Sequence, residues 1–117
     1  MTEDVFEAIK ERKSIRAFKS QDIPDATVTR LLEAACHAPS AGNLQPWKFY
    51  VVKSREIKEK LAEAAFNQRF LTQAPVVIVV CALPEESAVR YGERGKNLYC
   101  IQDTAAAVQN LLLSAWA

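Results

Sequence analysis

The run Val76-Val77-Ile78-Val79-Val80-Cys81-Ala82 contains no polar residue. A strand exposed on one face alternates apolar and polar side chains; a strand without alternation is buried on both faces. The run therefore predicts a central strand over 76–82, in a sheet covered by helices.

The remaining segments supply those helices. Residues 4–12 read as a helix with Val5 and Ile9 on one face, followed by a short irregular stretch over 15–19. Pro24 and Asp25 open a second helix, in which Val28, Leu31, Leu32, Ala35 and Cys36 form an apolar stripe at helical spacing. It must end near Ala38, because Pro39 disfavours helical geometry in the residue before it. Residues 39–47 form a loop, and 48–53 a strand bounded by lysines. Ser54 is placed to cap a third helix carrying Ile57, Leu61, Ala64 and Ala65 inward, with Glu56 and Lys60 paired on its surface. A polar loop is expected over 84–96. A last helix from about Tyr99 would turn Ile101, Ala105, Val108, Leu112 and Ala115 inward.

Two features do not balance in this reading. A doubly covered strand needs sheet neighbours, yet only one other convincing strand is present, and two strands alone are marginal. The last helix also reaches Trp116 and Ala117 without Gly, Asn or Pro to end it. The 117 residues are thus expected to form one domain that is incomplete at its C-terminus.

Composition narrows the function. Fifteen basic residues against fourteen acidic leave a net charge of +1, which makes no case for a nucleic-acid surface or a polybasic membrane patch. The apolar run over 74–83 is too short to span a bilayer as a helix. The acidic start Met1-Thr2-Glu3-Asp4 does not resemble a secretory signal. Cys36, Cys81 and Cys100 are odd in number and widely spaced, and His37 is the single histidine. That argues against a disulfide framework and a zinc site, and for reduced thiols in a cytoplasmic protein. His37 suits a structural place at a helix end.

Two clusters could carry chemistry. Arg12, Lys13 and Arg16 offer several N–H donors around the Ser14 hydroxyl, a set that would satisfy a phosphate monoester. It would equally serve as a solvated basic turn favouring a helix C-terminus. In the loop, Ser40, Asn43 and Gln45 both donate and accept, Gly42 permits unusual backbone geometry, and Pro39, Pro46 and Trp47 stiffen the ends. Such a loop suits a planar heterocycle with alternating donors and acceptors, or is simply a tight structural turn. Tyr91, Tyr99 and Trp116 fit core or interface positions better than a stacking role.

The order of these elements resembles the nitroreductase family. An Arg-x-Ser-x-Arg element precedes Leu31-Leu32-Glu33-Ala34-Ala35, then Ala38-Pro39-Ser40-Ala41-Gly42-Asn43-Leu44-Gln45-Pro46-Trp47 and a strand. Ala74-Pro75-Val76-Val77-Ile78 and the segment from Gln102-Asp103-Thr104 to Leu113 continue the likeness, which covers essentially the whole chain. The resemblance implies an α/β (α+β) nitroreductase-like fold with a central mixed sheet covered by helices. It implies an FMN-dependent oxidoreductase that passes hydride from NAD(P)H through the flavin to nitroaromatic, quinone or similar acceptors. A homodimer with flavin sites at the subunit interface is implied as well, and Ala105-Ala106-Ala107 would suit close helix approach there.

By the same resemblance, Arg12, Lys13, Ser14 and Arg16 stand where the family binds the FMN phosphate and ribityl chain. Pro39, Ser40, Ala41, Asn43 and Gln45 match the loop that reaches the isoalloxazine ring from the other subunit. Asn67 stands where many members place a flavin-contacting amide, with Gln68 as its neighbour. No side chain is assigned a catalytic acid–base role. Family chains continue past this length into a region that supplies the groups near flavin N5. Two other readings follow: a non-catalytic scaffold for dimerisation or weak flavin binding, and a flavin-consuming or dehalogenating branch.

Overall fold

The computed structural model describes residues 4–117; Met1, Thr2 and Glu3 of the acidic N-terminus lie outside the described residues. Helix α1 spans Val5–Glu11, and the Asp4 carboxylate accepts from the amides of Phe6 and Glu7 at its start. An irregular stretch leads to α2, Asp25–Cys36, with Val28 and Ala35 buried and Leu31, Leu32 and Cys36 half-buried, as the stripe requires. His37 follows as its C-terminal cap.

Strand β1 (Trp47–Val52) pairs antiparallel with β2 (Val77–Ala82), Trp47 opposite Ala82 and Val52 opposite Val77. Between them lie α3 (Arg55–Ala64), capped by the Ser54 hydroxyl, and a short 3-10 turn over Arg69–Gln73. The Glu56–Lys60 pair forms as expected, at 3.6 Å.

The core is small and sits where α2, β1 and α5 (Cys100–Trp116) meet. Ala35, Ala38, Trp47 and Ala107 are buried there, with Phe49, Ala106 and Leu111 packed around them. Small side chains let α2 and α5 approach, and the Asn110 amide donates to Ala34 O at 3.0 Å across the seam.

Four expectations are corrected. Residues 84–96 are not a loop: α4 spans Pro84–Arg94 and runs through a π-helical turn, Gly95–Tyr99, into α5. Pro84 stands in its first turn, and Glu85 and Glu86 favour the helix N-terminus. Its stabilising contacts are an ion pair from Lys96 to Glu85 at 3.3 Å and the edge-on Tyr91–Tyr99 pair. Neither leaves an apolar period in the sequence, and Gly92 (φ 56°) breaks the helix internally.

In α3 the buried residues are Lys58 and Ala62, whereas Ile57 is 48% exposed and Ala64 is also exposed. A lysine fills an inward position because its ammonium donates to Ala74 O at 2.9 Å while its methylene stem packs. In α5 the inward face is Cys100, Asp103, Thr104 and Ala107. The expected stripe faces outward, with Ile101 59% exposed and Ala105, Leu112 and Ala115 also exposed; only Val108 is half-buried. The outward face of α5 is the more apolar one, and inward Asp103 bonds the Ala41 amide of the 39–47 loop while the Thr104 hydroxyl donates to Cys100 O at 2.7 Å. Strand β2 is half-buried at every residue rather than buried on both faces, because β1 is its one partner among the described residues.

Candidate functional site

The loop over 39–47 has a defined shape built largely from its own groups. A 3-10 turn over Ala41–Asn43 follows Ser40, whose carbonyl accepts from the Asn43 amide at 3.0 Å. The Ser40 hydroxyl oxygen accepts from the Gln45 amide at 3.0 Å, and the Gln45 side-chain amide donates to Cys36 O at 3.2 Å. Gly42, Asn43 and Gln45 all adopt positive φ, at 61°, 54° and 51°. A methyl group at Gly42 would also come within 2.7 Å of the Tyr91 hydroxyl. Both the backbone angle and the space thus call for glycine.

Two helices support this loop from beneath. The Ala41 amide donates to both carboxylate oxygens of Asp103 in α5, at 3.2 and 3.3 Å. Pro46 O accepts from the Leu83 amide at 2.8 Å, and the Thr104 hydroxyl lies 3.4 Å from the same oxygen.

These commitments decide what each residue can offer a ligand. Ala41 has spent its N–H on Asp103 and its C=O on the Leu44 amide, so it offers shape rather than bonds. Gln45 ties the loop to the end of α2. The Ser40 O–H and the whole Asn43 side-chain amide have no partner among the described residues and remain available. Pro39, Gly42 and Asn43 are exposed, so the loop presents these groups at the surface.

The cationic segment lies just past α1, with Arg12 half-buried and Lys13, Ser14 and Arg16 exposed. None of the three cations forms a side-chain hydrogen bond or ion pair among the described residues, so their donors are uncommitted. Asn67 is exposed, adopts φ 57°, and its Oδ1 accepts from Arg69 at 3.4 Å. Gln68 donates to Ala65 O at 2.9 Å and closes the end of α3.

No hydrogen bond or ion pair joins the 12–16 segment to the 39–47 loop among the described residues. Two clefts lie elsewhere. One of about 440 Å³ lies between residues 17–24 and Pro75, and one of about 630 Å³ between α2 and the end of α5. Neither is lined by a residue of the two clusters. Sequence reasoning missed Asp103, Thr104 and Tyr91 as supports of the loop. The inward polar pair within α5 is the signal that was there to be read.

An α/β chain with an uncommitted cationic segment and a prearranged, amide-rich loop has the parts of a cofactor-binding domain. Residues 9–68 match the model of the nitroreductase family, and the chain belongs to that family. It is 41% identical over 113 residues to a provisionally named NADH dehydrogenase/NAD(P)H nitroreductase of Archaeoglobus fulgidus, covering 97% of this chain and 62% of that protein. Its structure resembles an FMN-dependent nitroreductase of Clostridium difficile, with TM-score 0.77 and 29% identity over 95% of this chain and 60% of the other. It also resembles the NADPH:FMN oxidoreductase of Vibrio harveyi, solved in complex with NAD+, with TM-score 0.84 and 26% identity over 96% and 51%. The chain thus spans less than two thirds of the length of these relatives.

Proposed function

We propose that this protein acts as an FMN-dependent NAD(P)H oxidoreductase, with nitroaromatics, quinones or related compounds as acceptors. The observation that carries the reading is the loop over 39–47, held in a strained conformation that leaves Ser40 and Asn43 free to bond a ligand. Asn43 and Gln45 hold left-handed backbone without being glycines, and such residues gather at active sites and ligand clamps. The solved relatives whose names specify FMN share this fold over nearly the whole chain.

The donor set fits FMN at both of its ends. Arg12, Lys13 and Arg16 would hold the phosphate by charge-assisted bonds, with the Ser14 hydroxyl as a further donor. Ser40 and Asn43 would meet the ring edge, Ala41 and Pro39 would shape its surroundings, and Gln45 would keep the loop closed. Asn67 adds a side-chain N–H near the end of α3. Bound flavin supplies the electron chemistry, taking hydride from the reduced nicotinamide and passing electrons to the acceptor. The chain contributes binding, orientation and shelter from water, and it needs no acid–base side chain for the hydride step.

The separation of the two clusters within one chain supports a site shared between subunits of a homodimer, one giving the cationic segment and the other the loop. The outward apolar face of α5 supplies a surface for that pairing. No described helix is long and apolar enough to cross a membrane, and a cytoplasmic dimer is the setting we propose. Replacing Arg12 or Arg16 with alanine is expected to weaken FMN binding about tenfold or more, since a charge-assisted bond contributes roughly 1.5–3 kcal/mol. Fluorescence titration of FMN measures this, and unchanged affinity in both variants would refute the assignment.

A further inference from the structure

The 39–47 loop pays for its shape: Asn43 and Gln45 are not glycines, and each left-handed residue of this kind costs on the order of 1 kcal/mol. Strain of that size persists only where the surroundings over-determine the backbone. The loop's own bonds, Asn43 to Ser40 and Gln45 to the Ser40 hydroxyl, span a few residues and hold the turn only against itself. Its C-terminal end is fixed from outside through Pro46 O, bonded by the Leu83 amide, and through the Gln45 side-chain amide, bonded to Cys36 O. At its N-terminal end, over residues 39–43, the one long-range hydrogen bond among the described residues is Ala41 N–H to Asp103.

Asp103 is an expensive way to satisfy one amide. It is 8% exposed and forms no ion pair among the described residues. A serine or asparagine would accept the same N–H without burying a charge. A carboxylate bonds an amide about twice as strongly as a neutral acceptor. We infer that Asp103 is a positioning residue: its carboxylate clamps the Ala41 amide and thereby sets the direction of the Ser40 and Asn43 groups. Thr104, one residue on, lies against the other end of the loop, so a single turn of α5 spans both ends. The clamp stands on these contacts alone; its consequence for flavin affinity rests on the function proposed above.

Backbone amide exchange of the flavin-free protein tests the clamp. In Asp103→Ala the amides of residues 41–43 should exchange about tenfold faster or more, with those of α2 and the rest of α5 unchanged. Asp103→Asn keeps an acceptor of the same shape and should fall between wild type and alanine. Wild-type exchange in the loop of both variants would overturn the inference, as would acceleration spread evenly over the whole chain in Asp103→Asn. Should Asp103→Ala fail to fold, an unchanged loop in Asp103→Asn alone overturns it. FMN affinity, measured in parallel, should fall in the same order. Faster loop exchange with wild-type FMN affinity would uphold the clamp and remove the loop from the cofactor site.

Discussion

At the residue scale, the joint between α4 and α5 turns on one close approach. Gly95 is buried against Ser87, and a methyl group there would come within 2.6 Å of the Ser87 carbonyl oxygen and 2.7 Å of its hydroxyl. Backbone cannot yield as a flexible side-chain tip can, so Gly95→Ala is expected to destabilise the protein by roughly 1–3 kcal/mol. The Ser87 hydroxyl is itself buried with no hydrogen-bond partner among the described residues, a cost of roughly 1–3 kcal/mol. Ser87→Ala removes that group without adding volume and should leave stability unchanged or raise it. Thermal unfolding of the two variants should therefore move in different directions. Neither residue stands out in the sequence. A buried orphan hydroxyl and a close backbone contact are products of the chain folding back at Gly92, and nothing in local periodicity announces such a return.

At the element scale, α2 is tied to the end of β1 by one exposed ion pair, Lys53 to Asp25 at 2.8 Å. The hydrogen bond from Lys53, reinforced by its charge, holds the Asp25 carboxyl below the ordinary carboxylate range. The same bond raises Lys53 against a smaller opposing effect of burial. A lowered acid contributes stability above its unfolded pKa and loses it as pH falls through the folded value; a raised lysine contributes below its unfolded pKa and loses it as pH rises through the folded one. The tie is therefore complete across the neutral range and fades at both extremes. Asp25→Asn should be slightly less stable than wild type at neutral pH and low salt. The difference should vanish in strong acid and shrink in concentrated salt, which urea unfolding at several pH values checks. The elements most legible in the sequence were those whose signals are local. The α2 stripe, the Ser54 cap and both strands needed only neighbouring residues. Helix α4 was hidden because an ion pair and two tyrosines stabilise it in place of an apolar face. The inward face of α5 was misread because the more apolar face of that helix points outward, while Asp103 on the inward face bonds the loop.

At the scale of the whole molecule, the candidate site was legible as a list of residues but not as an arrangement. Spacing left Arg12, Lys13 and Arg16 open between phosphate donors and a solvated basic turn, and the 39–47 loop between a ligand rim and a tight structural turn; only the family resemblance favoured the first of each. It could not show that Ala41 commits its hydrogen bonds inside the chain, or that no hydrogen bond or ion pair joins the two clusters among the described residues. The proposal above is that the FMN site takes its cationic segment from one subunit and its loop from the other. Ile101 and Leu112 on the outward face of α5 offer apolar surface where such a pair would meet. Sedimentation velocity of the FMN-saturated protein, followed at the flavin absorbance, tests this claim directly. Flavin colour is expected to move with a species of twice the chain mass. Colour travelling with the single chain, or remaining at the rate of free FMN, would contradict it.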